Sequence, residues 1–473
     1  MEKKTKTEYT SAVVLKSGVW FTACNIITKS IGFLTTPVFT RLLTKAEFGN
    51  YNNFTTWTGI ILLVTSLNLE ASMIRARYEF EDDLDNYVAS MAFLSCLSTL
   101  IWFFIFYTFI DHVRELLSLN NQEIYAMFLY LIFYPPIQLF QTKERYQYRY
   151  KSTVLITLLV VVGTALLSVL LVLLMENKLA GRIIGTVAPV VSIGLILLIN
   201  VSRKADGIKT KYWKYALPFS LPFIPHLLSM YLLGSMDKVM IRQICGPEDL
   251  AIYSLAYSVG TIISLLVNSM NSAFGPWLGE QLSNKDYKTV RKISVPYVGF
   301  FAVFSVFAVL ITPEILLILG GKEYIEAKYV IPQIFAGCLM QFIYCMYVNI
   351  EQFEKKTVGM AIASVVAAGF NYVTNYFFIK KYGYIAASYT TFLSYLLLML
   401  LHMWLVRKIS MQGVYNNGAI ILIGVIGSGF LILMNLVFEF TLLRYVLFAT
   451  FMVILLVMVC LNRNMIIKYI RRE

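Results

Sequence analysis

Runs of about 20 apolar residues, enough for a helix to cross a bilayer core roughly 30 Å thick, recur in this chain about every 30 residues. Repeated so often, they leave one fold class: an all-α polytopic membrane protein in which each helix satisfies its own backbone. Fourteen segments carry the pattern: 12–40, 50–72, 87–110, 122–142, 152–175, 180–200, 216–241, 250–276, 294–312, 329–350, 357–379, 384–406, 415–437 and 442–462. Composition agrees, since 58% of the 473 residues are apolar and 14% are charged, against about a quarter charged in soluble proteins. The second and seventh segments are the weakest, because Asn52, Asn53 and Asn68 dilute one while Pro218, Pro222 and Pro225 interrupt the other. Both are read as spans, with re-entrant segments as the alternative.

Of the 40 Lys and Arg, 26 fall on the side of the two termini, 11 on the opposite side and three (Lys16, Lys29, Lys238) within spans. Short loops rich in Lys and Arg stay in the cytoplasm, so both termini are expected there, and the clean alternation favours an even number of spans. The net charge of +13 is thereby explained by topology and by contact with anionic lipid; no nucleic-acid partner is expected. The six cysteines lie mostly within spans at unrelated spacings and read as small apolar residues, with neither a disulfide framework nor a metal site. The segment MEKKTKTEYTS lacks the apolar core of a signal peptide, so the first span is expected to stay in the mature protein.

No phosphate loop is present. Gly320-Gly321-Lys322 lacks both the first glycine and the hydroxyl residue that follows the lysine. His112, His226 and His402 are too scattered for a metal cluster, and the longest outer loop, 313–328, is modest for an active site. Neither a cofactor nor an enzymatic function is expected; the chain reads as a transporter.

Two stretches resemble each other. Leu42-Leu43-Thr44-Lys45-Ala46-Glu47-Phe48-Gly49-Asn50-Tyr51 leads into the second span, and Ile244-Cys245-Gly246-Pro247-Glu248-Asp249-Leu250-Ala251-Ile252-Tyr253 leads into the eighth. Six spans separate them, so the copies share one orientation. This predicts two six-helix lobes in a parallel repeat, 1–200 and 201–410, followed by two extra helices in 411–473, with the substrate path between the lobes.

The basic N-terminus, the Phe39-Thr40-Arg41-Leu42-Leu43-Thr44-x-x-Glu47-Phe48-Gly49-x-Tyr51 signature, the opening Leu217-Pro218-Phe219 and the closing Met236-Asp237-Lys238-Val239-Met240-Ile241 resemble the Wzx-type polysaccharide flippases. These belong to the multidrug/oligosaccharidyl-lipid/polysaccharide (MOP) exporter superfamily. The resemblance implies a V-shaped pair of lobes in the bacterial cytoplasmic membrane. It implies that they turn over an undecaprenyl-diphosphate-linked oligosaccharide for O-antigen or capsule synthesis, with a polysaccharide polymerase as a partner.

Such a substrate calls for a cationic, amide-rich cavity. Cavity candidates within the spans are Lys16, Asn25, Lys29, Asn68, Asp237, Lys238, Asn268 and Asn371; Glu70 and Asp237 are candidates for ion coupling. A charge at the bilayer centre costs about 3 kcal/mol or more, so one retained there faces water or a partner. Lys29 is the deepest. Other readings stand beside these: Lys16 snorkels to headgroups, Asp237 and Lys238 form an interface pair, and the amides join helices. A drug or organic-cation antiporter of the same superfamily is the alternative function, but its cavity should carry acidic residues, and the middle of the first span offers Lys29 and no carboxylate.

Overall fold

The computed structural model describes residues 11–409 and 413–461; the terminal lysines and arginines Lys3, Lys4, Lys6, Arg463, Lys468, Arg471 and Arg472 lie outside them. The described residues form helices joined by short turns, in two compact units, Met1–Ala251 and Ile252–Glu473.

In the first unit the helices are α1 (Ser11–Leu42), α2 (Lys45–Thr65), α3 (Met73–Glu79), α4 (Leu84–Thr108), α5 (Ile110–Leu117), α6 (Asn121–Tyr146), α7 (Tyr150–Leu174), α8 (Lys178–Lys204), α9 (Thr210–Ser220) and α10 (Ile224–Ile244). Thr44 starts α2 with a capping box: its hydroxyl accepts from the Glu47 N–H, and the Glu47 carboxylate accepts from the Thr44 N–H. The repeat stretch is thus a helix N-terminus, and so is its copy, where α11 (Pro247–Ser283) begins at Pro247. Tyr51 and Tyr253 each occupy the seventh position of their helix.

Close backbone approach organises this unit. A Cβ on Gly185 of α8 would lie 2.3 Å from Ser168 Cα of α7, and one on Gly181 would lie 2.7 Å from the Leu171 carbonyl oxygen. Gly181-x-x-x-Gly185 therefore seats two helices of the same chain against each other. Phe54, Leu117, Ile124, Phe128, Leu131 and Ile183 fill the space among α2, α5, α6 and α8. A second core joins α3, α4 and α9 through Met73, Tyr87, Tyr212 and Ala216. At its edge Asp83 accepts from Lys209 Nζ at 2.9 Å and from Tyr212 and Asn86, fastening the basic linker before α9 to the start of α4.

The second unit holds most of α11, then α12 (Tyr287–Leu310), α13 (Thr312–Gly320), α14 (Ile331–Phe353), α15 (Thr357–Tyr382), α16 (Ile385–Lys408), α17 (Asn417–Val437) and α18 (Thr441–Leu461). Helix α14 is its axis, buried along nearly its whole length and packed by α12, α15, α16 and α17. Phe342 of α14 stacks on Phe301 at 4.4 Å, and Tyr297 stacks on Phe274 at 4.8 Å, tying α14, α12 and α11 together. The last two helices pack on this core. Phe307 stacks on Phe448 at 4.4 Å, while the buried Arg444 donates to the Leu310 carbonyl at 2.6 Å and forms a fork on Glu314.

Among the described residues, eleven helices are long and apolar enough to span a membrane, or twelve if the bent pair Lys45–Thr65 and Leu69–Glu79 is one span. The expected count of fourteen is therefore not reached on this criterion. Segments three to thirteen correspond to the eleven. The first is a helix of ample length, diluted by Asn25, Lys29 and several hydroxyl residues; the last qualifies as a shorter apolar helix, Thr441–Val453. The seventh passes as one stretch, Thr210–Ile244, despite its prolines, and the second breaks with a bend of 49°.

Candidate functional site

The break in the second segment is a backbone feature. Leu67 and Asn68 both take left-handed φ angles, 54° and 49°, and Asn68 is one of the few residue types that tolerate this conformation. The chain turns there and re-enters a helix through Leu69–Ser72. Glu70, on that turn, lies beside Pro135 and Gln138 of α6, within the field of Arg145.

Arg145 also borders a concavity at its end of α6. Ser17, Phe21, Ile74, Arg77, Tyr78, Arg145, Tyr146 and Tyr148 line a cavity of about 450 Å³ within the first unit. Arg77 donates to the Tyr146 carbonyl at 3.0 Å and lies 4.2 Å from the Tyr78 ring; Arg145 lies 5.8 Å from the Phe21 ring. Two guanidinium groups among four aromatic rings combine donors for an anion with flat surfaces for sugar rings. In the sequence Arg77 and Arg145 counted only as topology charges, because nothing local tells an anchor from a lining residue.

Lys29 is exposed on α1 and has neither an ion pair nor a hydrogen bond among the described residues. Lys16 is exposed near the basic end, 6.0 Å from the Tyr150 ring. The side chain of Asn25 lies outside those described. Asp237 is fully buried in α10 and accepts from the Lys238 N–H at 2.9 Å, with the Lys238 ammonium in its field.

In the second unit Asn268 is exposed on α11, whereas Asn371 is fully buried. Asn371 donates to Thr391 at 3.3 Å and accepts from Asn375 at 3.0 Å, and Asn375 accepts from Thr390, so these amides join α15 to α16. Asn349 likewise donates to Asn271 at 2.9 Å. No group of three or more His, Cys, Asp or Glu is placed to hold a metal among the described residues.

Long apolar helices joined by short loops define a multi-pass helical membrane protein. The family model described as polysaccharide biosynthesis protein matches residues 14–281, and the MatE model matches 222–377. The chain belongs to the polysaccharide biosynthesis protein family. A structure of the lipid II flippase MurJ in an inward closed conformation is similar over 95% of this chain and 100% of its own, with a TM-score of 0.67 at 13% identity. An inward-facing multidrug resistance MATE family transporter is similar over 81% of this chain and 95% of its own, with a TM-score of 0.62 at 14% identity. In sequence the chain is 23% identical over 369 residues to the Lsg locus putative protein 1 of Haemophilus influenzae, covering 75% of this chain and 88% of the relative. An uncharacterized membrane protein of Methanocaldococcus jannaschii is 21% identical over 444 residues, covering 86% of this chain and 87% of the relative.

Proposed function

We propose that this protein is a flippase that carries an undecaprenyl-diphosphate-linked oligosaccharide from the inner to the outer leaflet of the bacterial cytoplasmic membrane for O-antigen or capsule synthesis. The observation that carries the reading is Lys29: a cation on α1 without an ion pair among the described residues, in a chain of the polysaccharide biosynthesis family. An unpaired lysine within a span calls for an anion, and a diphosphate is one. Lys is a flexible point charge suited to a group that must later be released.

In this reading the repeat lobes 1–200 and 201–410 rock about the substrate, with 411–473 as an appended pair of helices and both termini in the cytoplasm. Lys16, Asn25, Asn68, Lys238, Asn268 and Asn371 are the accompanying cavity candidates, and Glu70 and Asp237 the coupling candidates. Arg77 and Arg145 bind the diphosphate at the basic end before it reaches Lys29. A polysaccharide polymerase consumes the product on the outer face.

The test is complementation of bacterial strains that lack a known flippase, each supplying a different lipid-linked repeat unit. Restored surface polysaccharide with one repeat unit supports the function and names the glycan. Failure with every repeat unit, from protein present in the membrane, sinks it.

A further inference from the structure

Two helix ends in the second unit bring together a pair that none of the residues above uses. Glu351, in the last turn of α14, and His402, near the end of α16, have side chains 1% and 2% exposed, and His402 Nδ1 lies 2.9 Å from Glu351 Oε1. The Tyr344 ring stacks on the imidazole at 5.5 Å. Oε2 of Glu351 is buried without a hydrogen bond among the described residues. Glu351 also lines a cavity of about 210 Å³ together with Lys356, Gly359, Leu405, Lys408 and Ile409. Lys356 and Lys408 are themselves exposed, so the cavity lies at the basic end of this unit.

The charge on this pair decides what it can do. With the imidazole neutral, an apolar interior holds a net charge of −1 and an unpartnered carboxylate oxygen, which is costly. One added proton, on the imidazole nitrogen facing away from Glu351 or on Oε2, brings the pair to zero net charge. Histidine is the side chain that makes this exchange near physiological pH. Structural pairing alone would be better served by an amide, which leaves no charge to neutralise.

We propose that Glu351 and His402 form a proton-binding site, loaded from the basic end of the second unit through the cavity that Lys356 and Lys408 flank. Titratable and charged groups surround it. Helix α14 contributes Tyr344, Cys345, Tyr347 and, just past its end, Glu354; the entry to α15 contributes Lys355 and Lys356; α16 contributes Tyr395, Arg407 and Lys408. The approach to α17 brings Tyr415, whose hydroxyl donates to the Met346 carbonyl at 3.1 Å, and α12 brings Tyr297 against Phe342. The two cavity lysines stand at the mouth through which the proton enters. The proposal relies on the transport reading only for what the proton drives, and the site is testable without substrate.

The test uses the full-length protein in lipid nanodiscs, with proton uptake read by an indicator dye on a jump from about pH 8 to about pH 6. Wild type takes up about one proton per chain more than either Glu351→Gln or His402→Gln. Unchanged uptake in both variants, with helical content retained, overturns the site. Should these variants fail to fold, the exposed lysines carry the test. The combined Lys356→Met and Lys408→Met protein has its uptake midpoint at higher pH, by about 0.5 unit, because two opposing charges are gone. A midpoint that stays put or falls overturns the proposal.

Sodium replacing choline at fixed ionic strength leaves the wild-type midpoint in place; a sodium-dependent fall overturns it in favour of a metal cation on Oε2. Uptake that persists in a protein failing every complementation supports the site and sinks only the glycan reading.

Discussion

The carbonyl of Pro247 closes the space over Gly49: a Cβ there would stand 1.8 Å from the Pro247 oxygen and 2.7 Å from its carbon. Gly49 is the fifth residue of α2 and Pro247 the first of α11, the helices that the sequence repeat opens. The obstacle is backbone, so no rotamer change relieves it. Gly49→Ala should cost about 1–3 kcal/mol as an overpacking substitution. A lowered apparent unfolding temperature in detergent is the expected result, and wild-type stability would show that this contact does not form.

The sequence pointed to the spans because an apolar run of 20 residues is a local signal, complete within each helix. Where the pattern was weak, the structure supplies a cause: the left-handed Leu67 and Asn68 bend the second segment, and Asn68 owes its place there to conformation. Pairings across sequence were invisible. Glu351 meets His402 across 51 positions, and Glu314 meets Arg444 across 130, so neither partner advertises the other. Arg444 was counted as an outer-loop charge, yet it is 4% exposed. Asn371 was a candidate by polarity alone, and the bonds that it and Asn375 make to Thr391 and Thr390 run between α15 and α16.

The Glu314–Arg444 pair gives a second stability prediction. Glu314→Gln leaves a buried guanidinium without its carboxylate. The expected loss is about 2 kcal/mol, below the 3–5 kcal/mol of fully buried pairs because a third of the Glu314 side chain remains exposed. Adding Arg444→Met should recover part of it, so a thermal-shift double-mutant cycle should be non-additive. Additive losses would mean that the two side chains act independently.

Acid and base should loosen the contact between the 322–329 helix and the turn before α18. The Tyr329 hydroxyl, and then Lys328 at 2.9 Å, donate to Glu439 and hold its carboxyl below the usual carboxylate range. Burial lowers the affinity of Lys328 for its proton, but the bond to Glu439 outweighs this and leaves its ammonium above the ordinary range. A depressed carboxyl stabilises the fold above its unfolded value of about 4.3, an effect lost as pH falls through the folded value. A raised ammonium stabilises it below about 10.4, an effect lost as pH rises through the folded value. Glu439→Gln should therefore lower the unfolding temperature slightly between these limits and leave it unchanged in acid. A difference that persists in acid would assign the effect to packing.

Topology is open to direct measurement. Reporter fusions after residues 151, 214, 292 and 473 should report the cytoplasm, and fusions near 45, 245 and 322 the opposite side, because 26 of the 40 basic residues fall on the first side. Fusions at 214 and 322 reporting the same side would break the assignment of the central spans.

Lys29 is the residue whose charge should matter most for transport. It is exposed on α1 and has no ion pair among the described residues, while Glu70 lies in the field of Arg145. No carboxylate stands one helical turn away at positions 25, 26, 32 or 33 to neutralise it. Lys29→Ala should abolish glycan export at normal protein abundance, and Lys29→Arg should keep part of it, since a guanidinium preserves the charge and changes its geometry. A cation antiporter would show the reverse, losing activity when a carboxylate is removed and little when Lys29 is. Were Lys29 instead paired with Glu70 in another state, the double change Lys29→Ala with Glu70→Ala would restore what the single change lost. Wild-type export from Lys29→Ala protein in the membrane would falsify the anion-binding role of this lysine.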